Sequence, residues 1–161
     1  MKMNKKGFTL VELLAVIVIL AVVMLIGVTA VGPLMTKARK STLGDEGLGL
    51  ITAATTAYQA EQLGGGIKPN NTVCFSMAWL KTHLYYTKDD SSYTGSVLVT
   101  SEGNGKYKYQ FWIGNGVYYY AGKTSEEFNT SGENLAEEGT GSNLNKCGKA
   151  TIPSGTIDKT A

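Results

Sequence analysis

A carboxylate directly ahead of a long apolar segment is the side chain with the clearest chemical consequence in this sequence. Glu12 precedes residues 13–31, in which Thr29 is the only polar side chain. An ionisable group on a membrane segment costs about 3 kcal/mol even on the mildest scales, unless it is paired or lies near the interface. Stabilisation by the helix dipole, about 0.3 to 1 kcal/mol, explains Glu12 taken alone. It does not explain the Gly7-Phe8 pair just before it.

The remaining chemistry-bearing residues do not form an active site. His83 is the single histidine and has no companion motif, neither Gly-x-Ser-x-Gly nor Cys-x-x-Cys, so we interpret it as a surface or core residue. Gly103-Asn104-Gly105 has no following helix, which favours a hairpin turn over a phosphate site. We therefore predict no catalytic residue, no cofactor and no metal, and we do not expect an enzyme.

Oxygen ligands for calcium are present near the C-terminus, but their spacing does not follow an EF-hand loop. These residues are Glu126, Glu127, Asn129, Glu133, Asn134, Glu137 and Glu138. Adhesion through the tyrosines at 118–120 stays open as well, although aromatic strands more often pack on a core.

The two cysteines predict one structural disulfide. Cys74 and Cys147 lie far apart in a chain whose N-terminus resembles an export signal, and such chains fold in oxidising compartments. Two buried free thiols are the alternative.

The apolar run is long enough to cross a bilayer as a helix, which takes about 20 residues. A secretory signal peptide has a shorter apolar core, of about 7 to 15 residues. Lys2, Lys5 and Lys6 precede the run, so we expect the N-terminus on the cytoplasmic side and the remainder outside. If those three lysines are removed with a leader, the formal charge of +2 falls to about −1, and no basic surface typical of nucleic-acid binding remains.

An amphipathic helix follows the apolar run. Its buried face is predicted from a period near 3.6 residues at Leu43, Gly47, Leu50, Ala54, Ala57 and Tyr58. The three glycines at 64–66 end it, with the first in the left-handed conformation. A continuous helix over 13–63 would be about 75 Å long at about 1.5 Å per residue. Because Pro33 removes a backbone hydrogen bond, we expect a bend or local melting around 27–33.

The remainder of the 161 residues is enough for one small head. We predict a short helix over 76–84 and a three-stranded antiparallel meander over 96–100, 106–113 and 117–121, with hairpin signals at Asn104-Gly105 and Asn115-Gly116. The alternating residues Tyr107, Tyr109, Phe111 and Ile113 form the sheet face that packs on the helix. Residues 122–146 are predicted to be irregular, and residues 148–161 a tail. The expected fold is α+β, with a long N-terminal helix on a β-meander.

The strongest motif combines a short lysine-rich leader with Gly-Phe-Thr-Leu-Val-Glu-Leu-Leu at 7–14. It resembles the N-terminal motif of type IV pilins and their pseudopilin relatives. The resemblance is close over residues 1 to 40 and extends to the rest only as architecture. It implies cleavage between Gly7 and Phe8 by a prepilin peptidase and N-methylation of Phe8. It also implies that Glu12 neutralises the Phe8 amine of a neighbouring subunit during assembly.

The resemblance implies a helical homo-oligomer that inserts in the membrane before assembly and engages a pilus assembly machinery. We divide the chain into a leader (1–7), a transmembrane and assembly half of the helix (8–33), its amphipathic half (34–63) and a globular β-sheet head with a disulfide-closed C-terminal region (64–161). Two features depart from the family pattern: Pro33 lies about one turn later than in Gram-negative-type pilins, and the separation of Cys74 from Cys147 is wide.

The favoured function is a pilin of a surface filament used for adhesion, motility or DNA uptake. The alternatives are a pseudopilin of a type II secretion or competence machine and, less favoured, a membrane-anchored enzyme or binding domain.

Overall fold

The computed structural model describes residues 9–88, 91–149 and 152–160. The chain separates into two compact units, the first ending at Ala38 and the second beginning at Arg39. One helix, α1, runs from Leu10 to Leu63 and contributes to both units.

Helix α1 is continuous through Pro33. The local melting expected around residues 27–33 is therefore wrong, while the bend that we named as the other possibility stays a prediction. A proline removes one hydrogen bond from the helix interior, and in a helix of 54 residues the turns on either side keep theirs. The loss of one bond does not end the helix.

The end of α1 is a Schellman motif at the glycines. Gly65 has a φ of +77°, its N–H donates to the carbonyl of Gln62 at 3.1 Å, and the N–H of Gly66 donates to the carbonyl of Glu61 at 2.8 Å. Gly65, the second of the three glycines, takes the left-handed position, not the first as we expected. Glycine adopts this conformation without steric cost.

The second unit contains a mainly antiparallel sheet. Its strands are β1 (Val73–Ser76), β2 (Thr94–Gly103), β3 (Lys106–Gly114), β4 (Tyr118–Lys123), β5 (Glu137–Glu138) and β6 (Ile157–Lys159). The strand order is β5-β4-β3-β2-β1-β6. Two short helices accompany it, α2 (Met77–Thr82) and α3 (Ser125–Ser131).

The predicted meander is confirmed as β2, β3 and β4, whereas three strands were missed. The interpretation of 148–161 as a tail is wrong, because Ile157 of β6 pairs in parallel with Val73 of β1. Residues 122–146 are not wholly irregular either, since they contain α3 and β5. The missed strands are two to four residues long, too short to show an alternating pattern.

The core lies between α1 and one face of the sheet. Every residue on the predicted buried face of the amphipathic helix is buried. The predicted apolar face of β3 packs in the hydrophobic core that this helix face helps to form. Gly47 allows the closest approach: a Cβ built on it would lie 2.3 Å from a ring atom of Phe111. The amphipathic pattern and the alternation in β3 are thus both confirmed.

Candidate functional site

The start of α1 is closed by a reciprocal pair of side chains, Thr9 and Glu12. The Glu12 carboxylate Oε2 accepts from the Thr9 backbone N–H and the Thr9 hydroxyl, both at 2.9 Å. In return, the Glu12 N–H donates to Thr9 Oγ1 at 3.3 Å. This is a capping box, which satisfies backbone donors that a helix start otherwise leaves unpaired. Gly7 and Phe8, the predicted cleavage residues, lie outside the described residues.

Thr9 is a site residue that the sequence interpretation missed. The signal was available, because Thr-x-x-Glu ahead of an apolar run is the pattern of a capping box. The box gives Glu12 a partner inside its own chain, beyond the helix dipole that we considered from sequence. A further role in assembly must therefore be separated experimentally from helix capping.

A second capping box with nearly the same geometry closes α3. Glu127 Oε2 accepts from the Thr124 N–H at 2.8 Å and the Thr124 hydroxyl at 3.0 Å, and the Glu127 N–H donates to Thr124 Oγ1 at 3.2 Å. These bonds from Thr124, the backbone N–H first, lower the pKa of Glu127. The molecule thus contains a matched copy of the Thr9–Glu12 arrangement in its head.

The surroundings of the two boxes differ. From Leu10 to Met35, all the leucine, isoleucine, valine and methionine side chains are half or more exposed. This part of α1 is long and apolar enough to cross a membrane, by its length and composition. Glu12 is the only acidic residue before Asp45. A continuous apolar surface of this kind marks contact with lipid or with other protein chains.

Cys74 and Cys147 form a disulfide across 73 positions. The bond attaches the segment after β5 to strand β1, and Ser96 of β2 secures the same segment. The Ser96 hydroxyl donates to the Leu144 carbonyl at 2.5 Å and accepts from the Cys147 N–H at 2.8 Å. The outer face of the sheet is thereby covered by a small second core that includes Leu98 and Trp112.

The other candidate residues have local partners. His83 stacks on the Trp79 ring at 3.9 Å between centroids, and its Nδ1 lies 2.9 Å from the Trp79 carbonyl. The Glu137 carboxylate accepts from the Tyr119 hydroxyl, and Glu138 Oε1 lies 3.7 Å from Lys40 Nζ. Within the described ranges, no group of three or more His, Cys, Asp or Glu side chains is placed to hold a metal ion.

Of the three consecutive tyrosines, Tyr120 belongs to the core. It is fully buried, and its hydroxyl donates to the Lys40 carbonyl at 2.9 Å. Burial raises the pKa of Tyr120 to about 12. Tyr118 and Tyr119 are half-buried, so an adhesive surface would have at most these two of the three.

Comparison with known proteins agrees with this architecture. Residues 2–28 match the family model of the prokaryotic N-terminal methylation motif. The chain is similar to the ComG operon protein 3 homolog of Bacillus licheniformis, with 36% identity over 85 residues, which is 51% of this chain and 81% of that relative. No solved structure matches the chain. The chain belongs to the type IV pilin-like family.

Proposed function

We propose that this protein is the precursor of a filament subunit, trimmed between Gly7 and Phe8, methylated on the Phe8 amine and polymerised through α1 into a type IV pilus on the cell surface. The observation that carries the proposal is the exposed apolar surface from Leu10 to Met35, headed by a carboxylate. Such a surface needs lipid before assembly and neighbouring helices after it. A membrane-anchored enzyme would need only the first.

The role of Glu12 follows from electrostatics. When a subunit leaves the bilayer for the centre of a filament, its charged terminal amine enters an apolar environment, where an unpaired ion costs several kcal/mol. Glu12 is the only carboxylate near enough in sequence to meet that amine. It can do so in its own chain, four residues away in the sequence, or in a neighbour. The exposed position of Glu12 at the start of α1 is compatible with a partner from another chain.

The Thr9–Glu12 box also gives a specific geometry to the alternative role of Glu12, which is to cap the helix. Glu12 Oε2 is engaged by Thr9, while a carboxylate has about four lone-pair sites in all. Acceptor capacity therefore remains for an ammonium group from a neighbouring subunit. Capping within one chain and charge pairing between chains are compatible uses of one side chain.

A pseudopilin of a type II secretion or competence machine is the second candidate. The similarity to a ComG operon protein over 81% of its length favours a role shared with that relative. About half of this chain lies outside the match. The disulfide and the covered outer sheet face favour a long-lived, exposed fibre. The two functions differ in where the filament is found.

One experiment tests both the location of the filament and the processing of its subunit. Surface material sheared from cells should contain filaments in electron micrographs, and the intact mass of their subunit should correspond to residues 8–161 with one added methyl group. Replacement of Gly7 by a bulky residue should leave full-length precursor in the membrane. A mature subunit that keeps residues 1–7, or that starts after the apolar run, would refute the assignment. Correct processing without surface filaments would favour the pseudopilin.

Glu12→Ala tests the assembly role, and Glu127→Ala is its matched control. Both variants remove the carboxylate of a Thr–Glu capping box. We expect Glu12→Ala to be cleaved normally but to form few or no filaments, while Glu127→Ala assembles like wild type. Co-expression of Glu12→Ala with wild type should restore some incorporation if the pair joins two chains. Wild-type filament yield from Glu12→Ala alone would show that Glu12 only caps the helix.

A further inference from the structure

Two copies of the tripeptide Gly-Asn-Gly occur in this sequence, each at a turn of the meander. Gly103-Asn104-Gly105 joins β2 to β3, and Gly114-Asn115-Gly116 joins β3 to β4. They contain the only Asn-Gly pairs in the sequence. Because the residues directly before and after each asparagine are the same, a difference in reactivity between the two must come from the folded structure.

An asparagine that precedes glycine can close a ring with the backbone. The glycine backbone nitrogen loses its proton to solvent and attacks the asparagine Cγ. A new C–N bond forms, the bond from Cγ to Nδ2 breaks, and ammonia leaves with a proton taken from solvent. Water then opens the resulting succinimide at one of its two carbonyls and gives aspartate or isoaspartate. Glycine favours the attack because it has no Cβ to hinder a close approach of its backbone.

Hydrogen bonds hold the asparagine at the second turn. Asn115 Oδ1 accepts from the Val117 N–H at 3.0 Å and from the Tyr118 N–H at 2.9 Å. The Asn115 N–H donates to the Tyr118 carbonyl at 3.1 Å, and the Gly139 N–H donates to the Val117 carbonyl at 2.8 Å. Ring closure requires rotation of the asparagine side chain, which would break both bonds to Oδ1. The second turn is therefore restrained against the reaction.

The first turn is exposed and lies away from the core. Asn104 and Gly105 are both exposed, with φ of +51° and +75°. A Cβ built on Gly103 or on Gly105 meets nothing within 4 Å. In the part of the chain that the structure describes, no hydrogen bond engages the Asn104 side-chain amide. The tip of the β2–β3 hairpin can therefore rotate without disturbing the packing of the sheet on α1.

We propose that Asn104 is a site of spontaneous deamidation, and that the hydrogen bonds of Asn115 protect the second turn, which has the same local sequence. The modification replaces a neutral amide with a carboxylate close to the exposed Lys106. Where the ring opens to isoaspartate, the main chain gains one methylene group at the tip of the hairpin. The reaction takes place in the head and needs only water, so it does not depend on whether the protein forms a surface filament or a pseudopilus.

Peptide mapping of the mature full chain after incubation in mildly alkaline buffer tests the proposal. Mass spectrometry of the two peptides measures the conversion of each asparagine amide to a carboxyl group, and chromatography separates isoaspartate from aspartate. We expect Asn104 to react at least several-fold faster than Asn115 in the native protein. In the reduced chain denatured by guanidinium, the hydrogen bonds of the second turn are lost, and the two rates should become similar.

Two variants assign the release of ammonia to its source. Glutamine closes a ring that is one atom larger and does so more slowly, so Asn104→Gln should lose the fast release, whereas Asn115→Gln should keep it. Persistence of the fast release in Asn104→Gln would overturn the inference. Equal rates at the two asparagines of the native wild type, a faster reaction at Asn115, or a native Asn104 that reacts only after denaturation would overturn it as well. The map of the wild-type protein decides these last outcomes without relying on the folding of either variant.

Discussion

The two parts of α1 have the same backbone conformation and opposite surroundings. Before Ala38 its large apolar side chains are exposed, whereas after Arg39 one face is buried under the sheet. Both parts contain glycines, but a Cβ built on Gly32 meets nothing within 4 Å, while one built on Gly47 would overlap Phe111. The difference shows that helix formation depends on local sequence. Whether a face of the helix is buried depends on the other parts of the protein or its surroundings that pack on it. The head covers the second part, and the proposed function assigns the cover of the first part to lipid and to other subunits.

Among the variants that test this difference between the two parts, those that remove the disulfide should have the largest effect on the stability of the head. Replacement of Cys74 and Cys147 by serine should reduce the stability of the head by about 4 kcal/mol, since the bond closes a loop of more than 70 residues in the chain-entropy model. The first part of α1 should stay helical. Guanidinium unfolding of the mature chain in detergent, followed by the fluorescence of Trp79 and Trp112, measures the head alone, and circular dichroism reports the helix. Rapid labelling of both cysteines in the native, unreduced protein would contradict the bond.

Two leucines of α1 provide a second contrast. Leu50 is fully buried and Leu20 is 50% exposed. Leu50→Ala removes buried methyl groups and leaves a cavity, so we expect a loss of about 2 to 5 kcal/mol in the unfolding free energy of the head. Leu20→Ala should leave that value unchanged and instead lower filament yield. The same guanidinium titration, followed by fluorescence, measures the unfolding free energy of the head in both variants. Equal losses in the two variants would show that the two parts of the helix are not distinct.

Two glycines should respond in opposite directions to the same substitution. Alanine stabilises a helix interior by about 1 kcal/mol relative to glycine, but overpacking of a core costs about 1 to 3 kcal/mol. Because Phe111 is fully buried and the built Cβ of Gly47 lies 2.3 Å from its ring, Gly47→Ala should destabilise the head by about 1 kcal/mol net. Gly32→Ala should raise helicity without moving the unfolding transition. A head stabilised by Gly47→Ala would refute the close packing of helix and sheet.

The smallest effect concerns the Thr124–Glu127 box. Its bonds lower the pKa of Glu127 below the ordinary 4.5, so its contribution to stability is complete above that pH and is lost as the pH falls through the lowered value. Thr124→Val should cost about 1 kcal/mol at pH 7. Glu127→Gln keeps an acceptor but should flatten the pH dependence of unfolding on the acid side of the ordinary glutamate pKa. An unchanged acid transition in Glu127→Gln would exclude this carboxylate as a source of pH dependence.

Much of the candidate site was predictable because its signals are local. The motif around Gly7 and Glu12, the apolar run and the burial stripe from Leu43 to Tyr58 each depend on residues within a few turns of one another. The Thr9 and Thr124 caps depend on equally local Thr-x-x-Glu patterns, so they too were predictable from the sequence. The hairpins at Asn104-Gly105 and Asn115-Gly116 were found for the same reason, since glycine takes the positive φ there.

The sequence by itself determined a membrane-length helix, an amphipathic continuation and a meander, because periodicity and turn residues specify each within a short stretch. Only the tertiary structure decided that β6 returns to pair with β1 and that α1 passes Pro33 without a break. It also showed that Ser96 joins the disulfide in holding the segment around Leu144. A three-residue strand such as β6 has no pattern of its own. It exists because distant residues supply its hydrogen-bond partners, and separation along the chain hides that pairing from any local reading of the sequence.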